Sequence, residues 1–150
     1  MFCDGSARVH CVVALFSIQG FPITPSAPKP ILPSCGMDLV EVDRIRKKIT
    51  DTAFLERIFT PREREECLRR AKPEECLAAR WAAKEAVAKA LGVGIGQFLA
   101  FKDVEVIIGK GKAPQVHIRG PYSEYPMRVA LSLTHTRTTA AAVVMIYPDD

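Results

Sequence analysis

The run from Pro73 to Leu91 constrains this chain most. Pro73 suits the first turn of a helix, Glu74 and Glu75 complement the positive end of its dipole, and Gly92 supplies a stop. No glycine or proline interrupts the stretch between, so this is the longest element and the rest of the chain must be arranged against it. At about 100° per residue, Ala82, Ala83, Ala86, Val87 and Ala90 form a small-residue stripe suited to close packing, and Arg80, Trp81, Lys84, Glu85 and Lys89 share the opposite half. Taken singly, these charges read as a solvated face, the Glu85–Lys89 pair adding roughly a few tenths of a kcal/mol. A tryptophan among three cations and one carboxylate also suits a phosphate-bearing ligand.

Helices precede this element and strands follow it. Val42, Ile45 and Ile49 recur at helical spacing, with Asp43, Arg44, Arg46, Lys47 and Lys48 on the other faces, which predicts a basic amphipathic helix. Its outside is either a solvated surface or a dock for an acidic protein. Thr60-Pro61-Arg62-Glu63 is a capping box that opens another helix, so Thr60 and Glu63 have structural work first. After the turn Gly92-Val93-Gly94-Ile95-Gly96, Val104–Ile108 and Gln115–Arg119 read as a hairpin, and Val129–Thr134 with Ala140–Ile146 as a second one turning at His135–Thr138. The expected class is α+β, an antiparallel sheet packed against a long helix. Ahead of all this, Pro22, Pro25, Pro28, Pro30 and Pro33 deny regular structure its donors, so residues 1–33 read as a leader or linker and the compact domain as 34–150.

A net charge of +4 over 150 residues suits an anionic partner but is modest for a nucleic-acid binder. No apolar run is long enough to span a bilayer. The stretch Val9–Ile18 resembles the apolar part of a signal but follows Asp4 and lacks a cleavage pattern, so a cytoplasmic location is expected, with an organelle as the alternative if residues 1–33 are a leader. The five cysteines form no close C-x-x-C pair, which argues for a reducing compartment, and Cys67 and Cys76 read as small buried apolar residues within helices. Asp38, set in the apolar extended segment Gly36–Glu41, is either an N-cap of the following helix or a residue held there by something it binds.

Read together, GMDLVEVDRIRK, FTPREREEC, ARWAAKEAVAKALGVG and LSLTHT resemble, in order and spacing, the holo-acyl-carrier-protein synthase type of 4'-phosphopantetheinyl transferases, over roughly Gly36–Ile146. The resemblance implies the phosphopantetheinyl transferase-like fold and transfer of the phosphopantetheine arm of coenzyme A to a serine of an acyl carrier protein, releasing 3',5'-adenosine bisphosphate. It implies Asp38 and Glu85 as ligands of Mg²⁺, a hard cation commonly held by one or two carboxylates with waters and phosphate oxygens. Glu85 and Lys89 would be catalytic. Arg80, Lys84, Lys89, Ser132, Thr134 and His135 would bind coenzyme A, although bottom-up His135 reads as a surface histidine at a strand end. Arg44, Arg46 and Lys47 would dock the carrier protein. The serine proton would go to Glu85, to Glu41 or, preferably, to a water on the metal.

The family's small members are homotrimers with the coenzyme A site between subunits. Three departures bear on this: Pro33-Ser34-Cys35 could shorten the first strand, Thr134 stands where serine is commoner, and Gly120–Arg128 is too short for the helix usual there. The competing readings are a nucleotide- or nucleic-acid-binding module and an inactive relative. Two converging carboxylates disfavour the first, since they would repel a phosphate backbone without a cation between them.

Overall fold

The computed structural model describes residues 33–109 and 113–149. Of the expected leader and linker only Pro33 falls within them, and the tip of the first hairpin, 110–112, lies outside. Strand β1 (Ser34–Glu41) leads into α1 (Val42–Arg46), α2 (Thr52–Ile58), α3 (Pro61–Leu68) and α4 (Pro73–Ala90). Strands β2 (Val104–Ile108), β3 (Pro114–Ile118), β4 (Met127–His135) and β5 (Thr139–Pro148) follow. These strands pair antiparallel, in a β1-β5-β4 sheet and a separate β2-β3 hairpin. Both hairpins expected from alternation are present, and β1 is not shortened: it pairs with β5 along its length, from Ser34 opposite Ile146 to Glu41 opposite Thr139.

The β1-β5-β4 sheet presents Gly36, Asp38, Val40, Ala140, Ala142, Val144 and Ile146 to α4. Gly36 permits the close approach: a Cβ there would overlap the Ala86 carbonyl oxygen and lie 2.6 Å from the Ala90 nitrogen. The small residues Ala86 and Ala90 on the helix complete this contact, as the stripe on α4 predicts. The helix is nevertheless buried on nearly every side, because α1, α3 and β2 cover the half that faces away from the sheet. Trp81 is thus a core residue, its ring centroid 5.5 Å from that of Phe54 and 5.4 Å from that of Phe101, with the Arg44 guanidinium 4.7 Å above it.

Local chemistry explains the helix starts. Thr60 accepts from the Glu63 backbone and Glu63 accepts from the Thr60 backbone, completing the capping box. Asp51 accepts from the Phe54 backbone at 3.0 Å and caps α2, an element the hydrophobic spacing did not mark. The basic helix is shorter than expected: α1 ends at Arg46, and Ile49 packs from a turn. Gly92 at φ 72° ends α4 in the left-handed conformation glycine favours. The only helical turn between β3 and β4 is a 3-10 turn at Gly120–Tyr122, in line with the short segment there.

Cys67 and Cys76 are buried as expected, but not as separate thiols. They form a disulfide, with Cα atoms 5.4 Å apart. The short link between α3 and α4 folds the end of one helix beside the start of the other, so two sulfurs outside any C-x-x-C spacing meet. Cys35 is free and exposed. Among the described residues, no helix is long and apolar enough to cross a membrane.

Candidate active site

Three of the residues singled out by sequence meet at the seam of β1 and α4. Asp38 lies two residues along the strand from Gly36, on the same face, so the tight glycine contact carries its carboxylate to the helix surface. Glu85 and Lys89 are one turn apart on α4 and share a face. Lys89 Nζ donates to Asp38 Oδ1 at 2.8 Å and to the Met37 carbonyl at 3.0 Å. The N-cap alternative for Asp38 is excluded, since α1 begins at Val42 and its N-cap position is Glu41, which makes no side-chain cap.

Burial pushes the Glu85 carboxyl above the ordinary carboxylate range, and the neighbouring charge of Asp38 pushes it further. Lys89, a hydrogen bond from the Trp81 side chain, and Arg44 oppose that rise. The charge of Asp38 beside Glu85 makes the seam a place that favours positive charge. Both are hard oxygen donors, which suit Mg²⁺ better than a softer metal. The described residues contain no group of three or more His, Cys, Asp or Glu that would enclose a metal unaided.

Two residues expected on the ligand side are placed elsewhere. Lys84 is fully buried, its ammonium 2.8 Å from Glu63 Oε2 and donating to the carbonyls of Phe101 and Val104. All three donors are taken, so Lys84 has none left for coenzyme A. Burial holds its pKa below the ordinary lysine value, against the pull of Glu63. Arg80, also buried, bonds Glu66 at 2.8 Å and the Cys76 sulfur at 3.0 Å, so its guanidinium is enclosed and not presented as a phosphate clamp. Both corrections have one cause: the half of α4 opposite the alanine stripe packs on α3 and β2, not on solvent.

Ser132 and Thr134 are exposed on the face of β4 turned away from α4, hence away from Asp38 in the same chain. His135, next in register, is on the helix side, its Nδ1 3.3 Å from Glu75 Oε2 and half exposed. Arg44 lies over Trp81, while Arg46 bonds Asp43 at 2.8 Å and reaches Glu74 at 3.5 Å, and Lys47 is exposed beside Asp43. Sequence reasoning missed the buried Thr60–Glu63–Lys84–Glu105 cluster as a unit. In it Thr60 donates to Glu105 at 2.7 Å and Glu63 accepts from the Val106 backbone at 2.8 Å. The capping box was its one visible sign.

A long buried helix lies against an antiparallel sheet, and at their seam Asp38 of β1 meets Glu85 and Lys89 of α4. The 4'-phosphopantetheinyl transferase superfamily matches residues 34–144. Holo-[acyl-carrier-protein] synthases of Chlamydia caviae and Chlorobaculum parvum are 46% and 39% identical to the chain, over 73% and 75% of it and 93% and 97% of their own lengths. A solved holo-(acyl-carrier-protein) synthase from Bacillus anthracis, in complex with CoA (3',5'-ADP), superposes with a TM-score of 0.68 at 33% identity, covering 77% of this chain and 96% of that one. The Helicobacter pylori synthase in complex with coenzyme A gives 0.67 at 31%, covering 75% and 98%. This chain belongs to the 4'-phosphopantetheinyl transferase superfamily and, within it, to the holo-[acyl-carrier-protein] synthases.

Proposed function

We propose that this enzyme transfers the 4'-phosphopantetheine group of coenzyme A to a serine of an apo acyl carrier protein, with Mg²⁺ held by Asp38 and Glu85. The meeting of Asp38, Glu85 and Lys89 at the β1–α4 seam carries the reading. The serine oxygen forms a bond to the phosphorus that bears the pantetheine arm, the bond from that phosphorus to the bridging oxygen breaks, and 3',5'-ADP leaves. Such a transfer asks for positioning and charge neutralisation more than for a protein nucleophile. Mg²⁺ would neutralise the diphosphate when bound. Lys89, the partly exposed cation beside the carboxylates, supplies further positive charge to the leaving group. Glu85 at the seam and Glu41 at the end of β1 are the carboxylates of this chain offered to receive the serine proton. Arg44, Arg46 and Lys47 make a basic edge beside the seam that suits an acidic carrier protein.

The assembly we propose is a homotrimer in which each site is completed by a neighbour. Ser132 and Thr134 face away from their own chain's Asp38, on a sheet face that also exposes Met37, Leu39, Val143 and Met145. An apolar patch of that kind is suited to burial against a second copy, which would bring the hydroxyls of one chain toward the carboxylates of the next.

Incubating the protein with coenzyme A, Mg²⁺ and apo carrier protein, and weighing the carrier by intact mass spectrometry, should show one added phosphopantetheine. Asp38→Asn and Glu85→Gln should each lose that gain while keeping the far-ultraviolet circular dichroism of the wild type. Wild-type turnover by either variant would refute the metal assignment, and no gain across several carriers would refute the transfer itself.

A further inference from the structure

Lys89 has partners at the seam, and they include a residue that a divalent cation would need. Its ammonium bridges from the last turn of α4 to β1, 2.8 Å from Asp38 Oδ1 and 3.0 Å from the Met37 carbonyl, with both side chains of the pair largely buried. Asp38 and Glu85 would bring two negative charges to a divalent cation. With Lys89 on Asp38, one of them is neutralised in advance, and a positive charge stands where a second would arrive. Among the described residues, Lys89 Nζ donates to two acceptors, both on β1. An incoming diphosphate would offer its ammonium a stronger anionic acceptor than a single carboxylate and one main-chain carbonyl.

We propose that Lys89 is a latch: in the ligand-free protein its ammonium occupies Asp38 and weakens divalent-cation binding, and the diphosphate releases it. The latch rests on the metal reading given above. It makes cation and coenzyme A bind cooperatively, because each removes an obstacle to the other, and that coupling is reciprocal. It also leaves the lysine on the substrate once the cation is seated, where its charge serves the transfer.

The test is a titration of Mn²⁺, a spectroscopic substitute for Mg²⁺, followed by the electron paramagnetic resonance signal of the free ion in the absence of coenzyme A. Lys89→Gln removes a competing charge a few ångströms from the ion and should tighten Mn²⁺ binding about tenfold or more. Lys89→Arg keeps the charge and should stay within about threefold of the wild type. Saturating coenzyme A should tighten Mn²⁺ binding to the wild type clearly more than to Lys89→Gln. A residue that only braced β1 against α4 would lower thermal stability on substitution without strengthening metal binding. Equal or weaker Mn²⁺ binding by Lys89→Gln overturns the latch while leaving the metal site standing. If Asp38→Asn/Lys89→Gln keeps the tightened binding, the ion sits elsewhere and the latch is again overturned. If neither the wild type nor Lys89→Gln binds Mn²⁺ with or without coenzyme A, the metal reading fails and takes the latch with it.

Discussion

Replacing Lys84 with methionine separates a buried strut from a ligand contact. The lysine has no solvent exposure, and its ammonium is paired with Glu63, which is equally buried. Methionine fills much of the same volume but leaves Glu63 as a buried carboxylate without its counter-ion, retaining only the backbone donors of Thr60 and Val106. It also leaves the carbonyls of Phe101 and Val104 without this donor. Breaking a buried pair from one side costs about 3–5 kcal/mol, a large part of the 5–15 kcal/mol typical of a domain's stability. The corresponding fall in melting temperature is roughly 10–20 °C. Thermal melts followed by circular dichroism, with urea titrations for the free energy, measure it. Glu63→Gln/Lys84→Met, which removes both charges, should recover at least about 1 kcal/mol of the loss, a coupling that a double-mutant cycle isolates. A Lys84→Met protein that melts within about 3 °C of the wild type but has a sharply raised KM for coenzyme A would refute this account and return Lys84 to the substrate.

Gly36→Ala drives a methyl group into the backbone of Ala86 and Ala90, neither of which can rotate away, so a loss of about 1–3 kcal/mol in urea unfolding is expected, with reduced transfer as Asp38 moves off the helix. Glu85 is held above the carboxylate value of 4.5, so the folded state binds its proton more tightly than the unfolded state; its ionisation therefore lowers stability as pH rises from the ordinary carboxylate range through the raised value, and the deficit persists at neutral pH. Glu85→Gln should accordingly melt higher than the wild type at pH 7 in EDTA, an advantage that disappears below about pH 4, and no advantage at pH 7 would count against the shift. Met145→Lys places a charge at the centre of the exposed sheet face and should yield monomers by light scattering, with transfer lost. Reducing the Cys67–Cys76 link, or replacing both residues with alanine, should cost roughly 2–4 kcal/mol by urea unfolding, and a linked peptide in a non-reducing digest checks that the bond is present.

Local chemistry made much of this fold legible. The capping box at Thr60, the proline start and glycine stop of α4, and the alternation of both hairpins each report a short-range cause and appear where the residues place them. The Asp38, Glu85 and Lys89 cluster was also within reach, although the motif and not the periodicity picked it out. What failed was the inference from a charged helix face to an accessible one. Arg80 and Lys84 are buried because Glu66 and Glu63 of α3 come to meet them, and the sequence holds no local sign of which acid pairs with which base. The disulfide eluded sequence reading for a similar reason, since it depends on how α3 and α4 fold back on each other. Helix α2 had a signal in Asp51, a short polar cap before Phe54 and Leu55, that hydrophobic spacing alone does not weigh.

Among the described residues, strand β1 takes its one sheet neighbour from β5, about a hundred residues further along. During synthesis the emerging chain can form its helices early, but Asp38 has no rigid strand to sit on until the final hairpin has left the ribosome. On the proposed reading the site is therefore completed last, and a product cut short before Thr139 would keep α4 yet present neither a fixed carboxylate nor a complete seam.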